Sequence, residues 1–175
     1  MYRTGTNPHP LVVSAFNGKV AAYDRASGRT VWVWEGERPC KEAHVQPTHV
    51  VLTGTQVFVL TVVRDENGGF LSRATVHVAV TALDDATGRV LWSQLVRREQ
   101  TVYAFAATIL VDGGQVMLSH GDLIMAMSAE NGQVQWSRAS EHADEEVFLQ
   151  SIELATSEQT SKPIPITPSD ARQPN

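Results

Sequence analysis

The side chains of this sequence that could perform chemistry are its histidines, its carboxylates and one thiol, and they do not form a known catalytic arrangement. Six histidines are present, and none is spaced from another histidine or from a carboxylate as zinc ligands are. His44 and His49 lie close enough in sequence to share a metal ion, although two unrelated histidines are the more common explanation. We therefore expect no metal site and no catalytic residue.

The other reactive groups also favour ordinary structural roles. Cys40 is the only cysteine, which excludes an intrachain disulfide and a thiolate zinc cluster. A lone thiol with no base recognisable near it is more often inert than nucleophilic. One acidic group lacks the alternating ligands and the glycine of a calcium loop, and we expect a solvated link there: Glu141, Asp144, Glu145 and Glu146. The sequence contains no phosphate-binding loop and no nucleophile elbow.

The composition is that of a globular protein with an acidic balance. The chain has 175 residues, 42% of them hydrophobic, and a net charge of −5, which indicates one domain or part of one. Binding to nucleic acid needs a basic patch, and the longest basic run is only Arg97-Arg98. We expect no nucleic-acid partner.

The apolar segments are too short to cross a membrane. The longest, residues 105–111, is well below the roughly 20 residues that a spanning helix needs, so we expect no membrane partner. The first residues are polar and lack the apolar core of a signal peptide. The expected location is cytoplasmic if the chain starts as written, and extracytoplasmic if it is a fragment of a longer precursor.

An internal repeat dominates the sequence. Three segments align without gaps, starting at residues 22, 82 and 126, and each has Ala in its first place, Gly in its seventh and Trp in its eleventh. Because three of the four tryptophans occupy one repeat place, a shared packing role explains them better than chance does. The aligned positions are Ala22, Asp24, Gly28 and Trp32, then Ala82, Asp84, Gly88 and Trp92, then Ala126, Gly132 and Trp136.

The middle of each copy has the chemistry of a β-hairpin turn. Asp24 and Ser27 can bond nearby backbone N–H groups, as in a type I turn. Gly28 then supplies the left-handed conformation that closes such a hairpin with a bulge. The second copy has equivalent residues, and in the third Ser128 and Asn131 are weaker substitutes. Each motif therefore predicts two antiparallel strands.

Short apolar runs before each motif predict further strands. The third unit shows four strands in about 40 residues, the size of one propeller blade. The second unit is similar, whereas the first shows three strands and lacks the innermost one. The sequence thus predicts an all-β fold, a partial β-propeller of about three four-stranded antiparallel blades. We expect blades at about 11–36, 45–97 and 104–139, an extra strand at 146–154, propeller repeats over 1–154 as a whole, and a disordered tail or linker at 155–175.

The pattern Ala-x-Asp-x-x-Thr-Gly-x-x-x-Trp resembles the tryptophan-docking motif of pyrroloquinoline-quinone (PQQ) type propeller repeats. The second copy matches every fixed position, the first has Ser27 in place of Thr, and the third differs at Ser128 and Asn131. The resemblance covers residues 11–140. It implies that Trp32, Trp92 and Trp136 dock between adjacent blades, above Ala22, Ala82 and Ala126, and it supplies no catalytic residue.

Two functional classes share this repeat. Quinoprotein dehydrogenases hold PQQ and calcium in an eight-bladed ring over an aspartate base. Cofactor-free members, among them outer-membrane barrel-assembly lipoproteins, act as interaction surfaces. Three blades and a single cysteine do not assemble the dehydrogenase site, so we expect no cofactor and a non-catalytic protein-interaction scaffold. A fragment of a PQQ-dependent dehydrogenase is the alternative.

Two irregularities bear on partners. Three blades are too few for a closed ring, so open blade edges should bind a protein partner or a second copy, unless the chain is a fragment of a longer propeller. The second repeat is also 16 residues longer than the third, because Trp32 and Trp92 are 60 residues apart and Trp92 and Trp136 are 44 apart. The extra residues predict a longer central hairpin within 57–82, either a contact element or a tolerated insertion.

Overall fold

The computed structural model describes residues 9–16, 18–36, 48–65, 75–97, 107–141 and 154–156. In these ranges the regular structure is entirely β. The strands are β1 (Leu11–Phe16), β2 (Lys19–Asp24), β3 (Thr30–Glu35), β4 (His49–Leu52), β5 (Gln56–Asp65), β6 (Thr75–Asp84), β7 (Val90–Val96), β8 (Ala107–Asp112), β9 (Gln115–His120), β10 (Leu123–Ser128) and β11 (Val134–Ala139).

The strands form three separate antiparallel sheets, each of them a meander. Blade 1 contains β1 to β3, blade 2 contains β4 to β7, and blade 3 contains β8 to β11, each in chain order. This arrangement confirms the predicted all-β partial propeller, and blade 1 has three strands among the described residues. The series of blades is open, because the sheets follow one another and do not close into a ring.

The turns differ little from what the sequence predicts. In all three blades the ladder between the last two strands shifts register at one place, next to Ala22, Ala82 and Ala126. A glycine with positive φ follows each shift, at 70° for Gly28, 71° for Gly88 and 73° for Gly132. The predicted bulged hairpins are therefore confirmed, and the three copies share one backbone shape.

Blade 2 is buried on both faces because it lies between the other two blades. Val57, Val59 and Leu83 pack toward blade 1, while Phe58 and Leu60 pack toward blade 3. A sheet covered on both sides needs apolar residues at successive positions rather than at alternate ones. This explains the nearly continuous apolar run of β5.

The central hairpin of blade 2 is longer than its counterparts, as predicted. β5 and β6 have ten residues each and pair as far as Asp65 and Thr75, whereas β9 and β10 have six. Residues 66–74, between these two strands, lie outside the described residues, and a role of the hairpin in binding stays a prediction.

Two other sequence predictions fall largely outside the described residues. Of the extra strand expected at 146–154, only Leu154 is described, and it is not part of a strand; Ala155 next to it forms an isolated bridge. Of the tail expected at 155–175, only the first two residues are described. The domain boundaries therefore stay predictions.

Candidate functional site

The repeated turn is held by its first carboxylate. In blade 1 the Ser27 N–H and O–H donate to Asp24 Oδ1 at 2.7 and 2.5 Å, and the Gly28 N–H donates to the Asp24 carbonyl at 2.8 Å. These contacts favour the ionised form of the side chain. The Ser27 hydroxyl, above all, lowers the pKa of Asp24 below its usual value.

The second turn repeats this chemistry with threonine. The Thr87 N–H and O–H donate to Asp84 Oδ1 at 2.9 and 2.5 Å, and the Thr87 hydroxyl is the main cause that lowers the pKa of Asp84. The third turn has no carboxylate at this place. There the Gln133 N–H donates to Asn131 Oδ1 at 2.9 Å, so a side-chain amide oxygen accepts a backbone N–H of the turn in place of a carboxylate.

A second set of backbone bonds fixes the orientation of each turn. The residue in the fourth place of the motif donates its N–H to a backbone carbonyl at the start of an earlier strand of the same blade. These acceptor residues directly precede β1, β5 and β9. The N–H of the fourth-place residue is thereby held in the same way in all three blades. The bonds run from Arg25 to Pro10 at 2.8 Å, from Asp85 to Thr55 at 3.2 Å, and from Ala129 to Gly114 at 2.9 Å.

Trp32 of blade 1 lies on the turn of blade 2. Its indole Nε1 donates to the Asp85 carbonyl at 2.6 Å. A Cβ atom added to Gly88 would lie 2.7 Å from Trp32 Cδ2 and Cε3, so glycine is required here by space as well as by its positive φ. We call this set of indole, fourth-place carbonyl and turn glycine the docking contact.

Trp92 of blade 2 makes the same docking contact with blade 3. Its Nε1 donates to the Ala129 carbonyl at 3.0 Å, and a Cβ on Gly132 would lie 2.5 Å from its Cε3. The ring also packs at a tilt against Phe58, with centroids 5.9 Å apart. The junction between blades 1 and 2 and the junction between blades 2 and 3 therefore have the same geometry.

The alanines of the motif lie opposite the tryptophans across the last two strands. Ala22 pairs with Trp32, Ala82 with Trp92, and Ala126 with Trp136. All three alanines are fully buried. A small side chain at this place leaves room for the indole next to it on the same face of the sheet.

The third tryptophan makes no such contact. Trp136 is 41% exposed, whereas Trp32 is 8% exposed, and no hydrogen bond to its indole is found in the described part of the chain. At the other end of the series, the Gly28 turn has no indole on it among the described residues, since none of their atoms lies within 4 Å of an added Cβ. The described part of the chain therefore contains two complete docking contacts and two separated halves.

The face of blade 1 that points away from blade 2 is apolar and open. Phe16 is 71% exposed, Val33 63% and Val12 50%, and Val31 lies on the same side of the sheet. The Lys19–Glu35 ion pair, at 3.3 Å, borders this patch. We call these four apolar residues the outer face of blade 1.

Some groups that hold the blades together could not be recognised from the sequence. The carbonyl groups of Asp85 and Ala129 accept the indoles, and a backbone acceptor can belong to any residue type. His9 was not assigned a role either, yet its Nε2 lies 3.1 Å from Asp85 Oδ2 and so links the segment before β1 to the blade 2 turn. Trp34, which lies outside the repeat register, is partly buried and packs against the core that contains Trp32.

The groups considered for chemistry do not come together. Among the described residues, no three of His, Cys, Asp and Glu are placed to hold a metal ion. Cys40, His44 and the acidic group beyond Glu141 lie outside those residues. His49 is half-buried, and this burial lowers its pKa because it disfavours the charged imidazole.

The fold and the repeat define a β-propeller protein built from PQQ-type blades. The sequence model of the outer membrane protein assembly factor BamB matches residues 16–161, and the chain belongs to this family. A search of curated proteins found no match. In the part of the chain that the structure describes, no helix is long and apolar enough to cross a membrane.

Two solved structures are similar in fold. BamB from Moraxella catarrhalis is 20% identical, with a TM-score of 0.54 over 84% of this chain and 40% of that one. A quinohemoprotein alcohol dehydrogenase, ADHIIG from Pseudomonas putida HK5, is 14% identical, with a TM-score of 0.55 over 86% of this chain and 29% of that one. The chain therefore spans less than half the length of either.

The described residues do not fit the PQQ and calcium of the dehydrogenase class. Calcium takes six to eight oxygen ligands, several of them carboxylates, and PQQ itself carries carboxylates that need partners. No carboxylate is among the buried polar side chains, which are Thr81, Thr108, Ser119, His120 and Ser140.

Proposed function

We propose that this chain is a protein-binding β-propeller module of outer-membrane protein assembly, and that it binds through the open faces at the two ends of its blade series. The observation that carries the proposal is the outer face of blade 1. Monomeric proteins seldom expose several large apolar side chains together unless the patch binds something. Residues 1–154 form the module, and residues 155–175 serve as a tail or linker.

The chemistry of this face suits a protein better than a small molecule. Phe16 offers a large aromatic anchor on a flat sheet, and the Lys19–Glu35 pair provides a polar border. Protein interfaces have this plan, with an apolar centre containing an aromatic residue and a hydrated polar rim. A small ligand, in contrast, favours a concave site that encloses most of its surface.

The family name supports the assembly role and the location. A factor in the assembly of outer-membrane proteins acts on the far side of the inner membrane. Of the two locations expected from sequence, this favours the extracytoplasmic one.

The similarity to a quinohemoprotein alcohol dehydrogenase supports a second candidate, part of a PQQ-dependent dehydrogenase. Its identity of 14% carries the fold alone, and the described residues provide no carboxylate cage for the cofactor. We therefore retain it as the alternative that the experiment must exclude.

Photo-crosslinking tests the proposal directly. A photoreactive phenylalanine analogue is placed at Phe16, and the purified full chain is irradiated alone and with a urea-unfolded outer-membrane porin diluted into buffer. We expect protein adducts from position 16. The matched control places the same analogue at Asn131, which is exposed at the tip of the blade 3 turn, and should give none.

The rival reading is tested on the same protein. The chain is incubated with PQQ and Ca²⁺, desalted, and examined for bound quinone absorbance and for dye-linked alcohol oxidation. A retained cofactor with turnover, or the absence of any adduct from position 16, overturns the proposed function.

A further inference from the structure

The inference here rests on the proposed function and names the partner of its open faces. We propose that the chain binds a second copy of itself head to tail, with Trp136 of each copy docking on the Gly28 turn of the other. The argument starts from the two halves of the docking contact that the structure leaves separated.

The Gly28 turn has the same shape as the two turns that hold an indole. Gly28, Gly88 and Gly132 have φ values of 70°, 71° and 73°. The closing bonds of the turn also agree, with the glycine N–H donating to the third-place carbonyl at 2.8, 2.8 and 2.9 Å. The empty turn is therefore already in the conformation that the occupied turns adopt.

The residue whose carbonyl would accept the missing indole also makes the same backbone bond as its counterparts. Arg25 occupies the place of Asp85 and Ala129, and its N–H makes the equivalent bond, to the Pro10 carbonyl at 2.8 Å. The empty turn therefore makes the same backbone bond as the two turns whose carbonyls accept Trp32 and Trp92. The space over Gly28 is open, with nothing within 4 Å of an added Cβ.

The sheet around this turn is equally suited to a preceding blade. In the repeat alignment Val12, Ser14 and Tyr23 correspond to Val57, Val59 and Leu83, which blade 1 covers completely. Val12 by contrast is 50% exposed. In the described part of the chain no blade covers this face, whereas a neighbouring blade buries the corresponding faces of blades 2 and 3.

Trp136 provides the complementary half at the other end. It occupies the same strand place as Trp32 and Trp92, opposite a buried alanine, and is 41% exposed. Seating this indole on Gly28 of a second copy reproduces a contact that the chain already makes twice. Two copies joined in this way at both ends contain six blades, within the usual range of four to eight for a closed ring.

The experiment blocks each half without unfolding the chain. Asparagine tolerates positive φ, so Gly28→Asn should fold, yet its side chain fills the space that the indole needs. Trp136→Ala removes the other half. The full chain and both variants are compared by analytical ultracentrifugation over a concentration series, with circular dichroism to confirm that each remains a folded β-protein.

We expect the unchanged chain to sediment with twice the mass of one copy. Each variant should dimerise at least about 30-fold more weakly, since a central tryptophan is a typical binding hot spot. Gly113→Asn is the matched control, because Gly113 also has positive φ and open space, in a different turn. It should dimerise like the unchanged chain.

Mixing the two variants gives a result that a general loss of stability cannot produce. Trp136 of the Gly28→Asn chain can dock on the intact Gly28 turn of the Trp136→Ala chain, so the mixture should recover mixed dimers that neither variant forms alone. A monomeric parent chain, or a dimer that both variants leave unchanged, overturns the inference.

The crosslinking experiment separates this inference from the proposed function. A Phe16 adduct between two chains that Trp136→Ala removes supports the head-to-tail dimer. Adducts with the porin and none between chains overturn the dimer and leave the proposed function standing. No adducts of either kind overturn both.

Discussion

Trp32 and Trp136 occupy the same place in two copies of one motif, yet one indole lies in a core and the other lies in solvent. The first is 8% exposed and bonded to a carbonyl of the next blade, and the second is 41% exposed. Their own strands, paired alanines and turns are nearly alike. The difference comes entirely from what stands beside the blade.

The same comparison applies to the turns. Gly88 and Gly132 each lie under an indole ring, whereas none of the described residues covers Gly28. Each blade therefore carries an indole donor on one face and a turn with a carbonyl acceptor on the other face. A blade series that does not close leaves one indole and one turn without a docking contact. In repeat proteins the stability is divided between single units and their interfaces, and the contrast between docked and undocked copies gives access to the interface part.

The largest expected effect comes from truncating a docked indole. Trp32→Ala should lower the free energy of unfolding by about 3–5 kcal/mol, because a buried aromatic ring is replaced by a cavity at a blade junction. Trp136→Ala should cost about 0.5 kcal/mol or less, as an exposed position does. Both are measured by urea unfolding in the Gly28→Asn background, where binding between copies is blocked. Equal losses would contradict the distinction drawn between docked and undocked copies.

A smaller effect is expected from crowding the turn. Gly88→Asn should destabilise the chain by about 1–3 kcal/mol, because its side chain overlaps the Trp32 ring and the junction must open. Gly28→Asn has the same φ and no ring above it, so its cost should stay under about 1 kcal/mol. Both variants are made in the Trp136→Ala background, where binding between copies is blocked, and their urea midpoints provide the comparison. If Gly28→Asn proved the costlier change, backbone strain rather than the docked ring would control these positions.

The smallest expected effect concerns turn chemistry, which should not depend on docking at all. The pKa of Asp84 is lowered in the fold from an ordinary value of 3.8, and that of Asp24 is lowered in the same way. A lowered pKa gives stabilisation that is present above pH 3.8 and is lost as the pH falls through the lowered value.

An amide in place of either carboxylate does not titrate, so the variant should not lose stability in acid through this group. The amide oxygen still provides an acceptor in the turn. Asp24→Asn and Asp84→Asn should therefore each lower the urea midpoint slightly at neutral pH, by similar amounts. The gap from the unchanged chain should narrow as the pH falls below 3.8 and through the lowered pKa of the carboxylate. A gap that persists in acid at one site only would mean that docking does influence the turn.

Much of the local structure can be predicted from the sequence. Short apolar runs and the turn motif predict strands at 11–16, 19–24 and 30–35, which are the observed ends of β1, β2 and β3. The apolar run of the second blade predicts that β5 ends at Val63, but β5 runs two residues further, because backbone pairing continues to Asp65 and Thr75. The turn motif predicts that β11 starts at Gln133, but it starts at Val134, because the Gln133 carbonyl closes the turn by accepting the Ser128 N–H.

The docking contact is harder to predict from the sequence than the strands are. The tryptophans and turn glycines are visible as a motif, but the indole acceptors are carbonyl groups of Asp85 and Ala129, two unlike residues. Nor does the sequence distinguish Trp136 from Trp32. The contact of His9 with Asp85 joins groups 76 positions apart, a distance along the chain that no local pattern spans.

The sequence by itself determined the hairpins, their bulges and the placing of one tryptophan in each blade, since these depend on side-chain alternation and on turn conformations within a few residues. Only the tertiary structure decided which tryptophans are docked and which glycine is free. Docking requires a neighbouring blade to supply a carbonyl and an open glycine at the right distance, and that neighbour is set by the stacking of sheets. The same motif therefore makes a blade junction at Trp32 and Trp92 and an exposed surface at Trp136.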